Sequence, residues 1–542
     1  MQKLIIYLSI LLFCAQCAQV TPLNGGKKDI SPPKAISYSP ENASLNFNAK
    51  QITIKFDEYI QLVDITNQFI ITPQTKEMPE ITLDNKTLKI TFNELLLENA
   101  TYKLSFGNAI VDLNEGNILQ NFEYIFSTGS TIDSLKLTGQ VLNAFDKRPV
   151  NKLLIGLYRA SAKDSIIYKD KPLYISKTDE GGNFNFNYLP NAPFKLIAID
   201  DVNKNLMYDG SEEQIAFQND IVNPKDGISS NLLLFKETPS KSFIKKSLSI
   251  EYGKAMIVFN KPQLDIKSVD APNLFSVYKN PNRDTLILYY NNQYDQFQPI
   301  ISYHNKKADT VTIKILSRET LINIKKNNSL KYILSSNLSS YMPYYEMPQF
   351  DLNYPIDLKN ISESKITLVE QKNDVPLKKT ISVLKDLTGL NSFTIQSTFN
   401  PETNYTLTIN QNALKDTIYG RCNDSIVYKF KTTSPDDYAK LNLKIYFPKK
   451  ENYIVLLLND KDQIIKKNIV EVSLNSTSEK LIEYKNIPPG IYFSRVIEDA
   501  NKNGAFDVGD YFLHQQSETI FINTKAIKLL AGWEIENEWT VQ

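Results

Sequence analysis

The sequence predicts an all-β chain of tandem antiparallel β-sandwich domains, and three observations predict it. Apolar residues recur at every second position over short runs, turn-forming Asn, Asp and Gly separate those runs, and the whole pattern returns later in the chain. Composition agrees. A chain of 542 residues exceeds what one hydrophobic core organises, so several domains are expected. Its 30 Tyr and 27 Phe against two Trp favour strands over helices.

The elements follow in order. Lys3 precedes the apolar run from Leu4 to Phe13, which is too short to span a bilayer. With Cys14-Ala15-Gln16-Cys17 behind it, residues 1–16 resemble a lipoprotein signal peptide, although Gln16 stands where such signals carry a small residue. The resemblance implies that Cys17 is the lipidated new N-terminus and that the partner there is a membrane, reached through the lipid anchor. Localisation is then expected at the outer membrane or cell surface. Cys422 is the one cysteine left after Cys17, so no disulfide within the mature chain is expected and stability must come from cores. Residues 17–30, with Gly25-Gly26-Lys27-Lys28, read as a tether reaching about 50 Å when extended.

Residues 31–129 hold alternating runs at Gln51 to Phe56, Thr87 to Phe92, Tyr102 to Phe106 and Phe122 to Phe126. These runs, in the order I-x-I-x-F, L-x-I-x-F, A-T-Y-K-L and F-x-Y-x-F-S-T, resemble the bacterial Ig-like domain of S-layer and Bacteroidota surface proteins. Residues 132–236 carry Leu135-Lys136-Leu137-Thr138-Gly139-Gln140-Val141, then Thr178-Asp179-Glu180-Gly181-Gly182-Asn183-Phe184 and Tyr188-Leu189-Pro190. This set resembles the carboxypeptidase-regulatory, transthyretin-like sandwich. A further sandwich is expected over 237–335. The pair then repeats. Thr403-Asn404-Tyr405-Thr406-Leu407 mirrors Ala100-Thr101-Tyr102-Lys103-Leu104, which marks a second Ig-like domain over 336–434. Asn486-Ile487-Pro488-Pro489-Gly490 mirrors Tyr188-Leu189-Pro190-Asn191-Ala192, which marks a second regulatory-like sandwich over 435–542. The alternation from Leu529 to Trp539 predicts a closing strand.

The sharpest local motif is a loop that occurs twice. Asp201, Asn203, Asn205, Met207, Asp209 and Glu212 recur as Asp499, Asn501, Asn503, Ala505, Asp507 and Asp510. Positions 1, 3, 5, 9 and 12 bear oxygen side chains and position 7 offers a backbone carbonyl, the spacing that encloses Ca2+. A structural Ca2+ is therefore the expected cofactor. Leu206 replaces the turn glycine in the first copy and Asp510 replaces the bidentate Glu in the second. The alternative is a loop whose Asn and Asp side chains bond their own backbone.

An Asp-Ser/Thr-aliphatic triplet also recurs, with its hydroxyl at Ser134, Ser165, Thr285, Thr310, Thr417 and Ser425. It resembles the O-glycosylation signal of exported Bacteroidota proteins; equally, Asp and Ser are turn formers placed ahead of a strand. The two His, at 304 and 514, read as surface strand residues, and the aromatic Tyr341 to Tyr345 stretch as packing between domains. With 61 basic against 60 acidic residues there is no broad field for nucleic acid. No nucleophile elbow, phosphate loop or paired-His zinc motif occurs, so no catalytic residue is assigned. The expectation is a non-enzymatic surface scaffold, stalk or binding module whose partner is an unknown envelope protein or glycan. A second reading is a glycan-capture or envelope-assembly component. A third, a carbohydrate-active enzyme, requires two carboxylates facing across a deep pocket.

Overall fold

The computed structural model describes residues 29–542 apart from 228–229, 240, 252, 281–282, 291–295, 316–333, 373–374, 386–390, 417–421 and 473–477. The signal segment, Cys17, most of the tether and Thr417 lie outside the described residues. The chain is a series of β-sandwiches with almost no helix. It divides into two compact units: one reaches Asn143 and includes Arg148–Asp209 and Glu213–Leu234, the other comprises Ala144–Lys147, Gly210–Glu212 and Phe235–Gln542.

In the first unit, strands Ala35–Ser39, Gln51–Phe56, Thr87–Thr91 and Glu80–Asp84 form one antiparallel sheet in that order. Strands Ile70–Thr72, Thr101–Ser105 and Glu123–Ser127 form the facing one. Alternation explains both: Ile52, Ile54 and Phe56 point inward to meet Leu104, Tyr124 and Phe126 in one core, while Thr53 and Lys55 face out. A seven-stranded sheet follows, ordered Tyr174–Lys177, Leu154–Arg159, Phe194–Ile199, Gln214–Phe217, Ser230–Lys236, Leu135–Asn143, Asn183–Leu189. Its first and last strands in sequence, Leu135–Asn143 and Ser230–Lys236, run parallel, with Gly139 opposite Ser230 and Asn143 opposite Leu234. Its core contains Leu137, Val141, Leu157, Phe184 and Leu234.

Further cores lie in the second unit, among them a small one of Ile454, Leu456, Leu458, Ile497 and Ile520 and three larger ones. Ala255, Ile257, Leu288 and Ile301 belong to one, and Phe350, Leu368, Phe393 and Leu407 to the next. Leu441, Leu443, Val455 and Val496 belong to the last. Here the predicted closing strand is present as Glu534–Thr540, parallel to Ala439–Tyr446.

The internal repeat is visible in side-chain detail. The Tyr102 hydroxyl accepts from Leu97 N at 2.8 Å and the ring stacks on Phe126 at 5.3 Å. Tyr405 accepts from Asn400 N at 2.8 Å and stacks on Phe430 at 5.6 Å. Thr128 and Thr432 pin the same turns by donating to the carbonyls of Leu97 and Asn400 at 2.7 and 2.6 Å. Replacing either tyrosine by Phe keeps the stack and strands one N–H, so each variant is expected to lose about 1–2 kcal/mol in urea unfolding. Equal losses at the two positions identify one fold motif used twice; a loss at one alone refutes the equivalence.

Candidate functional site

The two repeated loops occupy equivalent places. Asp201 lies two residues beyond strand Phe194–Ile199, and Asp499 lies directly beyond Gly490–Glu498. Their bonding is the same, atom for atom. Asp201 accepts from Asn205 N at 3.1 Å and Leu206 N at 2.9 Å; Asp499 accepts from Asn503 N at 3.1 Å and Gly504 N at 3.0 Å. Asn203 and Asn205 take the N–H of Asn205 and Met207 on their carbonyl oxygens, and Asn501 and Asn503 those of Asn503 and Ala505. The amide nitrogens of Asn203 and Asn205 both donate to Asp209 Oδ2, and those of Asn501 and Asn503 to Asp507 Oδ2. The chain turns sharply at position 6, where Gly504 has φ +70° and Leu206 adopts φ +64° in spite of its Cβ.

The closing carboxylates differ from those expected at position 12. In the first loop it is Glu213, 3% exposed, whose oxygens accept from Val202 N and Asp209 N at 3.0 Å each. In the second it is Glu518, accepting from Ala500 N at 2.9 Å and Asp507 N at 3.1 Å. Burial pushes both carboxyls above the usual Glu range, against the pull of the two N–H groups that each accepts. Glu212 is instead exposed, 3.8 Å from Lys245 Nζ. Asp510 caps a turn by accepting from Leu513 N at 3.0 Å. A spacing of twelve presumes a loop of fixed length. The second loop carries an extra turn, closed where Asp510 pairs with Gln515, so its carboxylate arrives later in sequence.

Each loop thus carries three carboxylates and two carboxamides, residue types whose oxygens suit a hard cation when they converge. Among the described residues, no group of three His, Cys, Asp or Glu stands close enough together to hold a metal ion. The inward atoms are two amide nitrogens bonded to one carboxylate, so the loops close on their own hydrogen bonds. A cation needs both amides to turn their oxygens inward.

The other predicted sites fall apart from these loops. Ser134, Thr310 and Ser425 are exposed, whereas Ser165 is half-buried in the short 3-10 turn Asp164–Tyr168, and the Thr285 hydroxyl donates to Asp284 at 2.8 Å. His304 is exposed in a bend and His514 in a turn, neither in a strand, the latter with φ +51°. Tyr344 donates to Asn486 Oδ1 at 3.0 Å and Tyr345 to the Asn486 carbonyl at 3.3 Å, and both rings pack on Tyr438. Those two tyrosines join adjacent sandwiches, while Tyr341 stays exposed.

Residues 29–128 match the family model of the bacterial Ig-like domain. The fold and this match together define a multi-domain β-sandwich protein with a bacterial Ig-like domain at its head. No curated protein matches the chain. Among solved structures it is similar to the S-layer protein SbsC at 11% identity and a TM-score of 0.14, covering 91% of this chain and 66% of that one. It therefore spans slightly less than two thirds of that relative's length. It is also similar to BcpA, the major pilin subunit of Bacillus cereus, at 9% identity and a TM-score of 0.14, covering 76% of this chain and 99% of that one. Likeness at this level says nothing of what the chain binds. Among the described residues, no helix is long and apolar enough to cross a membrane.

Proposed function

We propose that the chain is an exported lipoprotein of Bacteroidota type, anchored through Cys17 to the outer membrane or cell surface, whose sandwiches serve as a non-enzymatic scaffold, stalk or binding module. The observation that carries this reading is the order of parts: a segment resembling a lipoprotein signal, then a bacterial Ig-like domain, then further sandwich cores. The repeated loops support it, because their polar side chains are spent on bonding backbone rather than presented to a substrate. Expressed in a Gram-negative host, the chain is expected in the membrane fraction and Cys17→Ala in the soluble one. Membrane retention of the variant sinks the anchor.

Calcium belongs to the same proposal, as a brace for the two loops. Asp201, Asn203, Asn205, Asp209 and Glu213, and their counterparts Asp499, Asn501, Asn503, Asp507 and Glu518, supply the oxygens, with the carbonyls of Met207 and Ala505 at position 7. Ca2+ at about a hundred times its Kd stabilises the folded state by about 2.7 kcal/mol. The thermal midpoint is expected to rise in millimolar calcium, to fall back with chelator, and to lose this response in Asp201→Ala with Asp499→Ala. An unchanged midpoint leaves the loops as self-bonded turns. The three exposed hydroxyls, Ser134, Thr310 and Ser425, are the proposed glycan acceptors, and hexose-sized mass increments lost on their substitution by Ala test this.

A further inference from the structure

Within the first unit, a cleft of about 620 Å³ opens between the Ig-like sandwich and the seven-stranded sheet. That volume lies in the range of about 300–1,000 Å³ typical of small-ligand sites, which favour such domain junctions. A second cleft of about 410 Å³ continues it, the two sharing Leu97, Arg159 and Leu173 as walls.

Two features of the walls point to a ligand. The first is hydroxyl groups with nothing to donate to. Thr75 lines the larger cleft and is only 7% exposed, yet its Oγ1 has no hydrogen-bond partner among the described residues. Tyr102, fully buried in the same wall, accepts from Leu97 N and finds no acceptor for its own proton among the described residues. A buried hydroxyl left in this state is costly, and an acceptor brought by a ligand removes the cost.

The second feature is charge. Lys76, Arg159, Lys169 and Lys171 line the cleft, and none has an ion-pair partner among the described residues. Two carboxylates share the larger cleft, Glu94 accepting from Lys76 N at 2.6 Å and Asp170 from Lys171 N at 2.9 Å, and Glu98 and Asp133 line the smaller one. The larger cleft thus sets four cations against two carboxylates, and with the Thr75 and Tyr102 hydroxyls this excess of donors suits a ligand rich in anionic oxygens.

We propose that this cleft binds an acidic saccharide, with the carboxylate, sulfate or phosphate of the sugar between Arg159 and Lys171 and a ring hydroxyl or ether oxygen on Thr75. A saccharide suits the site better than an extended peptide. At the head of the edge strand Tyr174–Lys177 the Leu173 carbonyl already accepts from Gln74 N at 2.7 Å, which removes one acceptor that an added peptide strand would use. Leu95, 98% exposed on the rim, offers an apolar surface to a sugar face. The proposal is independent of Cys17 and of calcium.

The test is isothermal titration of the full chain in detergent with tetragalacturonate, a sulfated tetrasaccharide, maltotetraose, a tetraglutamate peptide and inorganic phosphate. At least one of the two acidic saccharides is expected to bind with a Kd below about 1 mM. Maltotetraose is expected not to bind, and tetraglutamate and phosphate to bind at least tenfold more weakly. Arg159→Gln with Lys171→Gln, both exposed and outside the cores, should weaken binding at least tenfold. Thr75→Val, of equal shape, should weaken it several-fold without lowering the thermal midpoint. Failure of both acidic saccharides, equal binding of maltotetraose or tetraglutamate, binding of phosphate alone, or an unaltered Kd in the Arg159/Lys171 variant each overturns the proposal.

Discussion

Glu213→Ala is expected to destabilise its sandwich by about 3 kcal/mol, while Glu212→Ala next to it changes stability by less than about 0.5 kcal/mol. The Glu213 side chain is buried and satisfies two backbone donors at once, Val202 N and Asp209 N. Alanine leaves both part-buried donors without their carboxylate partner, and each such loss costs about 1–3 kcal/mol. Glu212 has only a long, exposed ion pair with Lys245 to lose, of the kind worth little in water. The same contrast is expected between Glu518→Ala and Asp510→Ala, with a smaller gap because Glu518 is less enclosed and Asp510 caps a turn. Urea unfolding of the four variants checks this, and equal effects of Glu212→Ala and Glu213→Ala would contradict the assignment of the closing carboxylate.

The second large effect is expected at Gly139. A Cβ there would lie 1.9 Å from the Ser230 carbonyl oxygen and 2.4 Å from Phe184 Cζ, one obstacle being backbone and the other a buried ring. Neither can retreat without parting Leu135–Asn143 from Ser230–Lys236, so Gly139→Ala should cost about 3 kcal/mol or more. Gly116 provides the comparison. Its φ is +78° and a Cβ there meets nothing within 4 Å, so Gly116→Ala carries only the left-handed backbone penalty of about 1–2 kcal/mol. If the two variants unfold at the same urea concentration, close approach at Gly139 is not what the fold requires.

Much of the architecture could be read from periodicity, because a half-buried strand writes its inward face into every second residue. Gln51–Phe56 and Glu534–Thr540 are strands where alternation places them. The loops were legible only in part. Asp201, Asn203, Asn205 and Asp209 are local to one turn, and their spacing is dictated by that turn. Glu213 and Glu518 are brought in by the returning chain, whose length differs between the copies, so no fixed offset from Asp201 or Asp499 identifies them. The orientation of the amides is likewise a matter of competing donors and acceptors in space. The cleft beside Thr75 was illegible for the same reason: its cations come from two sandwiches and share no motif in sequence.

The parallel pairing of Leu135–Asn143 with Ser230–Lys236 also bears on how the module behaves under tension. The chain enters the seven-stranded sandwich by the first of these strands and leaves it by the second, and the two run side by side in the same direction from Gly139 opposite Ser230 to Asn143 opposite Leu234. A pull on the two ends therefore drags one strand lengthwise against the other. Their hydrogen bonds must yield together, in shear, rather than one after another as in a zipper. A module so threaded holds its length until the whole ladder fails, whereas an antiparallel first and last strand would peel open from one end.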